Sequence, residues 1–233
     1  MINDSVPWRA DLARSSVRLT RRLAQQRWHE RTFFLVEKDL MVGFYSIRRL
    51  IESSKTSSRL EARRYEVKVR PLRGAEPRAY DRWSPWDHYD FQSDQRSEID
   101  VRSLVNEFIH SFILMIAFDE HRNLSGVVVG SDRTKRTRLL EVPIRSIIDL
   151  FNYVANEDIV LASWHDDEPM VRLSQHDLVE AGAASYTDDV RGLHEVDHKF
   201  PARDFATLAG LSARQLQSIQ AIWAHGAPPQ RRS

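Results

Sequence analysis

Apolar residues recur at helical spacing through the first fifty positions and then change to alternation. Trp8, Leu12, Leu19 and Leu23 share one narrow face of a helix predicted over 8–28. Arg9, Arg14, Arg18, Arg21, Arg22 and Arg27 are spread around its remaining sides. A second helix is predicted over 32–53, where Phe33, Val36, Leu40, Phe44, Ile47 and Ile51 recur at steps of three and four. Phe34, Met41 and Tyr45 widen that stripe, which predicts burial on more than one side. Tyr65, Val67 and Val69 then alternate with Arg64, Glu66, Lys68 and Arg70, the pattern of a half-buried strand.

Between positions 71 and 95 the pattern dissolves into a long irregular loop. It contains Pro71, Pro77 and Pro85 among Trp83, Trp86, Tyr89 and Phe91, and those aromatics require something to pack on. Helical spacing returns over 101–109 and runs directly into the apolar strand Phe112–Phe118. A turn at 119–125 then leads to a strand at 126–130, and a second at 131–136 to a strand at 137–142, a β-meander. Pro143 suits a first helical position ahead of Ile144, Ile147, Ile148, Phe151 and Val154. Strands at 159–164 and 169–173 flank a turn at 165–169. Hairpins between helices predict an α+β fold. Two long N-terminal helices would pack on a mostly antiparallel sheet of about five strands, centred on 112–142 and 159–173, with helix 32–53 on one face. Residues 1–200 would form one domain, 201–226 a helical hairpin and 227–233 a frayed tail.

Composition narrows the function classes. The chain has 233 residues, 42% hydrophobic and 29% charged, as in ordinary globular proteins. It has no cysteine, so disulfides, thiolate metal sites and a cysteine nucleophile are excluded. The longest apolar run, 112–118, is too short to span a bilayer, and the arginine-rich first thirty residues lack a signal peptide's apolar region. A cytoplasmic location is the expectation. The net charge of +1 conceals a division: residues 1–82 hold 19 Lys+Arg against 10 Asp+Glu, and the remainder 15 against 23, giving +9 and −8. The segment 156–198 is especially acidic, with eleven carboxylates against Arg172 and Arg191.

Two strings point to specific chemistry. His194-Glu195-Val196-Asp197-His198 resembles the H-E-x-x-H motif of zinc metalloproteases. In those enzymes two histidines one helical turn apart hold zinc, and the glutamate is the general base for the bound water. The resemblance implies His194 and His198 as metal ligands, Glu195 as catalytic base, and Asp204 at the third-ligand position of the metzincin clan. The string departs from that clan at Asp197, at Pro201 in place of the turn glycine, and in having no methionine after Met170. Residues 202–221 resemble a helix-turn-helix, with Gly210 at the turn and Ala206, Leu216 and Ile219 at packing positions. Arg214 and Gln217 would then face the bases.

The charge division favours a third reading: a binding or regulatory protein acting through a charged surface. Arg14, Arg18, Arg21 and Arg22 would supply the basic side, and 156–198 the acidic one. Its partner would be another protein or a second copy of the chain, with nucleic acid as a further candidate. No cofactor is expected except zinc under the metalloprotease reading.

Overall fold

The alternation of apolar and charged residues at 64–71 becomes the strand next to one edge of a five-stranded antiparallel sheet. In the computed structural model, which describes residues 4–165, 168–174, 176 and 177, contacts divide the chain into two units. The first comprises residues up to 52 together with 63–156, and the second comprises 53–62 and the chain from 157 onward.

The first unit holds helices α1 (Val6–Arg22) and α2 (Glu30–Glu52), strands β1 (Arg64–Pro71) and β2 (Arg96–Asp100), and helix α4 (Val101–Ile109). Strands β3 (Ser111–Phe118), β4 (Leu124–Ser131) and β5 (Arg138–Pro143) and helix α5 (Ile144–Asn156) follow. Strand order is β2-β1-β5-β4-β3. α4 carries the chain from one edge of the sheet to the other, and the meander returns β5 to the side of β1, pairing Lys68 with Glu141 and Val69 with Leu140.

Val67, Val69, Val127, Val129, Leu140 and Val142 point to one face of this sheet and are buried there. α4 and α5 lie on β4, and α2 rests on α4 and α1. Phe44 of α2 stacks on Phe108 of α4 at 3.7 Å and meets Phe151 of α5 edge-on at 5.4 Å. Such pairs contribute about 0.5–1.5 kcal/mol beyond the area they bury. Asp100 starts α4 by accepting from the Ser103 N–H at 2.8 Å and from its hydroxyl.

The opposite face is covered by residues 71–95. Tyr89, fully buried, packs against Ile113, Val128 and Leu139, with Leu72 and Phe91 beside it. Its hydroxyl donates to the Lys135 carbonyl at 2.6 Å, and burial pushes its phenol up to about 12. Arg70 anchors the loop, donating to the Phe91 and Ser93 carbonyls at 2.6 and 2.7 Å and to Glu141 at 2.5 Å.

Several boundaries differ from expectation. α1 ends at Arg22 rather than at 28, because the Gln25 and Trp28 side chains donate to the Arg27 and Gln25 carbonyls and close a turn there. α2 is buried on one side only, and Phe34 and Tyr45 lie on its exposed side. Residues 96–100 form an edge strand that the pattern did not show. Pro143 ends β5, and the helix begins one residue later.

In the second unit, β6 (Ile159–His165) and β7 (Glu168–Ser174) pair only with each other instead of joining the larger sheet. α3 (Ser58–Ala62) lies beside β7, where Arg172 donates to Glu61. Among the described residues no helix is long and apolar enough to cross a membrane.

Candidate arginine-lined cleft

The hairpin between β4 and β5 reads Ser131-Asp-Arg-Thr-Lys-Arg-Thr-Arg138, four cations in six residues. The buried carboxylate of Glu107 on α4 holds it in place. Its Oε2 accepts from the Ser131 N–H at 2.8 Å and the Thr134 hydroxyl at 2.7 Å. The Asp132 N–H adds a bond to the carbonyl of His110, just past the end of α4. Together α4 and the hairpin wall a cleft of about 1020 Å³. Asp100, Ser103, Asn106, Glu107 and His110 line it from the α4 side, Arg133, Arg136 and Arg138 from the hairpin, and Arg48 reaches it from α2.

Most of its carboxylates are already engaged. Asp100 caps α4; burial alone would raise its carboxyl, but the Ser103 bonds hold it below the usual range. Glu107 fixes the hairpin. Asp132 accepts from Lys135 at 2.6 Å, which depresses its pKa. Only Glu98, exposed on the β2 edge, makes no such contact among the described residues.

The cations divide differently. Arg48 donates to Glu52 and to Asn106, both at 2.6 Å. Arg136 lies 3.2 Å from Glu76. Lys135 turns away, over the Phe112 ring at 3.8 Å. Arg133 and Arg138 have no carboxylate partner among the described residues, and the exposed His110 imidazole stands beside them along the cleft wall. Two unpaired guanidinium forks in a concave site suit a phosphate or carboxylate group, which they can grip bidentately.

The arginines expected to form a basic face on α1 are not gathered into one site. Arg14 pairs with Asp11. Arg18 crosses to Asp39 of α2, donating at 2.6 and 3.0 Å, and bonds the Ser15 hydroxyl. Arg22 turns to Gln25 at 2.5 Å. Arg21 is exposed and unpaired among the described residues. His194, Glu195, His198 and Asp204 of the zinc motif lie outside the described residues, as do Arg214 and Gln217, the hairpin 201–226 and the tail. Among the described residues no cluster of three His, Asp or Glu side chains could hold a metal ion.

By its pattern alone, 131–138 is an ordinary turn leading into a strand. The signal that could have marked it was the density of cations in Arg133-Thr-Lys-Arg-Thr-Arg138. Compared with known protein families, curated proteins and solved structures, the chain matches none of them.

Proposed function

We propose that this chain is a binding or regulatory protein whose working charged surface is the cleft between α4 and the 131–138 hairpin, with an anionic ligand or partner group as its target. The observation that carries this reading is the pair Arg133 and Arg138. Both line a concave surface without a carboxylate partner among the described residues, while Asp100, Glu107 and Asp132 beside them are tied to donors of the fold. A guanidinium that lacks an internal counter-ion gains most when an external anion arrives, because no existing pair has to be broken. The hairpin is also held by Glu107 before any ligand is present, which lowers the ordering cost of binding.

Calorimetric titration with inorganic phosphate, pyrophosphate and citrate tests the reading. Each charge-assisted bond is worth about 1.5–3 kcal/mol, so Arg138→Ala should weaken the best of these probes by roughly tenfold or more. Arg133→Ala should do the same, Arg21→Ala should leave it unchanged, and added salt should compete. Equal affinity of wild type and an Arg133→Ala/Arg138→Ala variant for all three anions would refute the proposal.

A further inference from the structure

α2 has two apolar faces, and the first unit uses one of them. Val36, Leu40, Phe44, Ile47 and Leu50 are buried inside it. On the other side Phe34 is 60% exposed, Val42 43% and Tyr45 49%, with Met41 between them. Phe34, Met41 and Tyr45 are the residues whose spacing widened the apolar stripe, and Val42 joins them on this side. Leaving a row of large side chains in water along one helix marks a contact surface rather than a solvated one.

The charges along this row decide what fits it. Arg31, Phe34, Lys38, Met41/Val42, Tyr45, Arg49 and Glu52 follow at steps of three and four, so they form one continuous seam. Arg31 and Lys38, towards the start of the helix, have no acidic partner among the described residues. Glu52, at the far end, accepts from Arg48 and Arg49 of its own helix and remains about one-third exposed.

We infer that α2 is a homodimer interface, in which two copies of the chain pair their outer α2 faces antiparallel about a two-fold axis beside Met41 and Val42. That arrangement brings Arg31 of one copy to Glu52 of the other. It sets Lys38 beside the Tyr45 ring, a cation–π contact, and lays the Arg49 stem along Phe34. The same contacts occur twice, as an isologous interface requires. A parallel pairing would instead put Arg31, Lys38 and Arg49 each against its own copy. The seam is therefore self-complementary in one direction only, and a second copy is the occupant that supplies both the apolar row and the reversed charges. The contact is one helix face, with Trp8 flanking Tyr45 at 6.1 Å, whereas a standard interface takes about 20–30 residues from each partner. The dimer is therefore expected to dissociate in the micromolar range.

The absence of cysteine gives a direct test on the full chain. Val42→Cys lies beside the axis and should form a covalent dimer under mild oxidation, whereas Thr20→Cys on α1 should not. Mixed Lys38→Cys and Tyr45→Cys chains should cross-link with each other more than either does alone. By sedimentation, wild type should show a concentration-dependent monomer–dimer equilibrium, and Val42→Asp should weaken it by roughly tenfold or more. Arg31→Glu should also weaken it, and Arg31→Glu/Glu52→Arg should recover part of the loss, with circular dichroism confirming that each variant folds. A wild-type monomer at about 200 µM together with no Val42→Cys dimer above the Thr20→Cys control would overturn the inference. So would efficient self-cross-linking of Arg31→Cys, which reports a parallel pairing. A Val42→Cys thiol that stays unreactive in a monomer would show that the chain's own residues cover the face, and would overturn it equally.

Discussion

At Gly43 the α2 backbone lies directly against the Phe151 ring of α5, and replacing it tests the helix layer directly. A Cβ there would lie 2.2 Å from Cζ and 2.3 Å from Cε2 of Phe151. Reaching the 3.4 Å at which ordinary contact begins takes about 1.2 Å of movement. The ring cannot easily yield, because Phe151 is fully buried edge-on to Phe44, which is itself stacked on Phe108. Two effects oppose each other in Gly43→Ala. Helix propensity favours alanine by about 1 kcal/mol. Overpacking costs about 1–3 kcal/mol, and a clash with a wedged ring belongs at the upper end. The net expectation is a loss of about 2 kcal/mol, or roughly 4–8 °C in Tm for a chain of this size. Guanidinium denaturation followed by circular dichroism should show a lower midpoint at unchanged slope. Phe151→Leu alone should cost about 1–2 kcal/mol by leaving a void, but much less in the Gly43→Ala background, where the shorter side chain relieves the clash. If Gly43→Ala is as stable as wild type or more so, propensity has won, and α2 and α5 do not approach this closely.

Two further outcomes follow from the same unit. Arg70→Ala removes a buried guanidinium that serves Glu141 and two loop carbonyls, so it should cost about 3–4 kcal/mol and speed tryptic cleavage between 73 and 82; a cleavage rate equal to wild type would show that Arg70 does not hold the loop. Asp100→Ala removes the α4 cap, at a cost of about 1 kcal/mol at pH 7. Because the Asp100 carboxyl is depressed in the folded chain, that contribution is present above the ordinary aspartate value of about 3.9 and is lost as pH falls through the lower folded value. The stability gap between variant and wild type should therefore close on acidification, and a gap that persists to pH about 2 would count against the cap.

Local periodicity carried most of the first unit. β1 showed itself through Tyr65, Val67 and Val69, and the meander through three apolar segments punctuated by turns, because β1, β4 and β5 each bury at least one face and β3 is an unbroken apolar run from Phe112 to Phe118. β2 was invisible for the corresponding reason: of its five residues only Ile99 is buried, so it offers no alternation to read. The irregular stretch 71–95 looked unstructured in pattern, and its aromatics divided: Tyr89 and Phe91 pack on the second sheet face, whereas Trp83 and Trp86 stay 72% and 54% exposed. Which sheet a strand joins is a different kind of information. The residues at 159–165 and 168–174 have strand character by themselves, but nothing local distinguishes an added pair on the large sheet from a separate ladder. Only the long-range pairing of β5 with β1 settles that the sheet closes without them.

The charge division between chain ends illustrates why the site was harder to read than the fold. A tally of +9 treats every arginine in 1–82 as available, but availability depends on which carboxylates the fold brings alongside. Arg14, Arg18, Arg48 and Arg49 meet Asp11, Asp39 and Glu52 from the same basic stretch. Arg63 and Arg70 are met by Asp149 and Glu141 from the acidic remainder. The pairs of Arg14, Arg48 and Arg49 follow helical i,i+3 and i,i+4 spacing, but Arg18–Asp39, Arg63–Asp149 and Arg70–Glu141 cross between elements, and no spacing rule announces those. Surface pairs add little stability, but each one removes a fork from the set that could grip an external anion. What remains unpaired is set by exclusion. Arg133 and Arg138 stand in the half of the chain with excess negative charge, yet they have no carboxylate partner among the described residues: Glu107, Asp100 and Asp132 are held by backbone N–H groups, hydroxyls and Lys135, and Glu98 makes no ion pair with them. A binding surface of this kind is a residue of the fold's own electrostatic pairing, and it can be located only after that pairing is known.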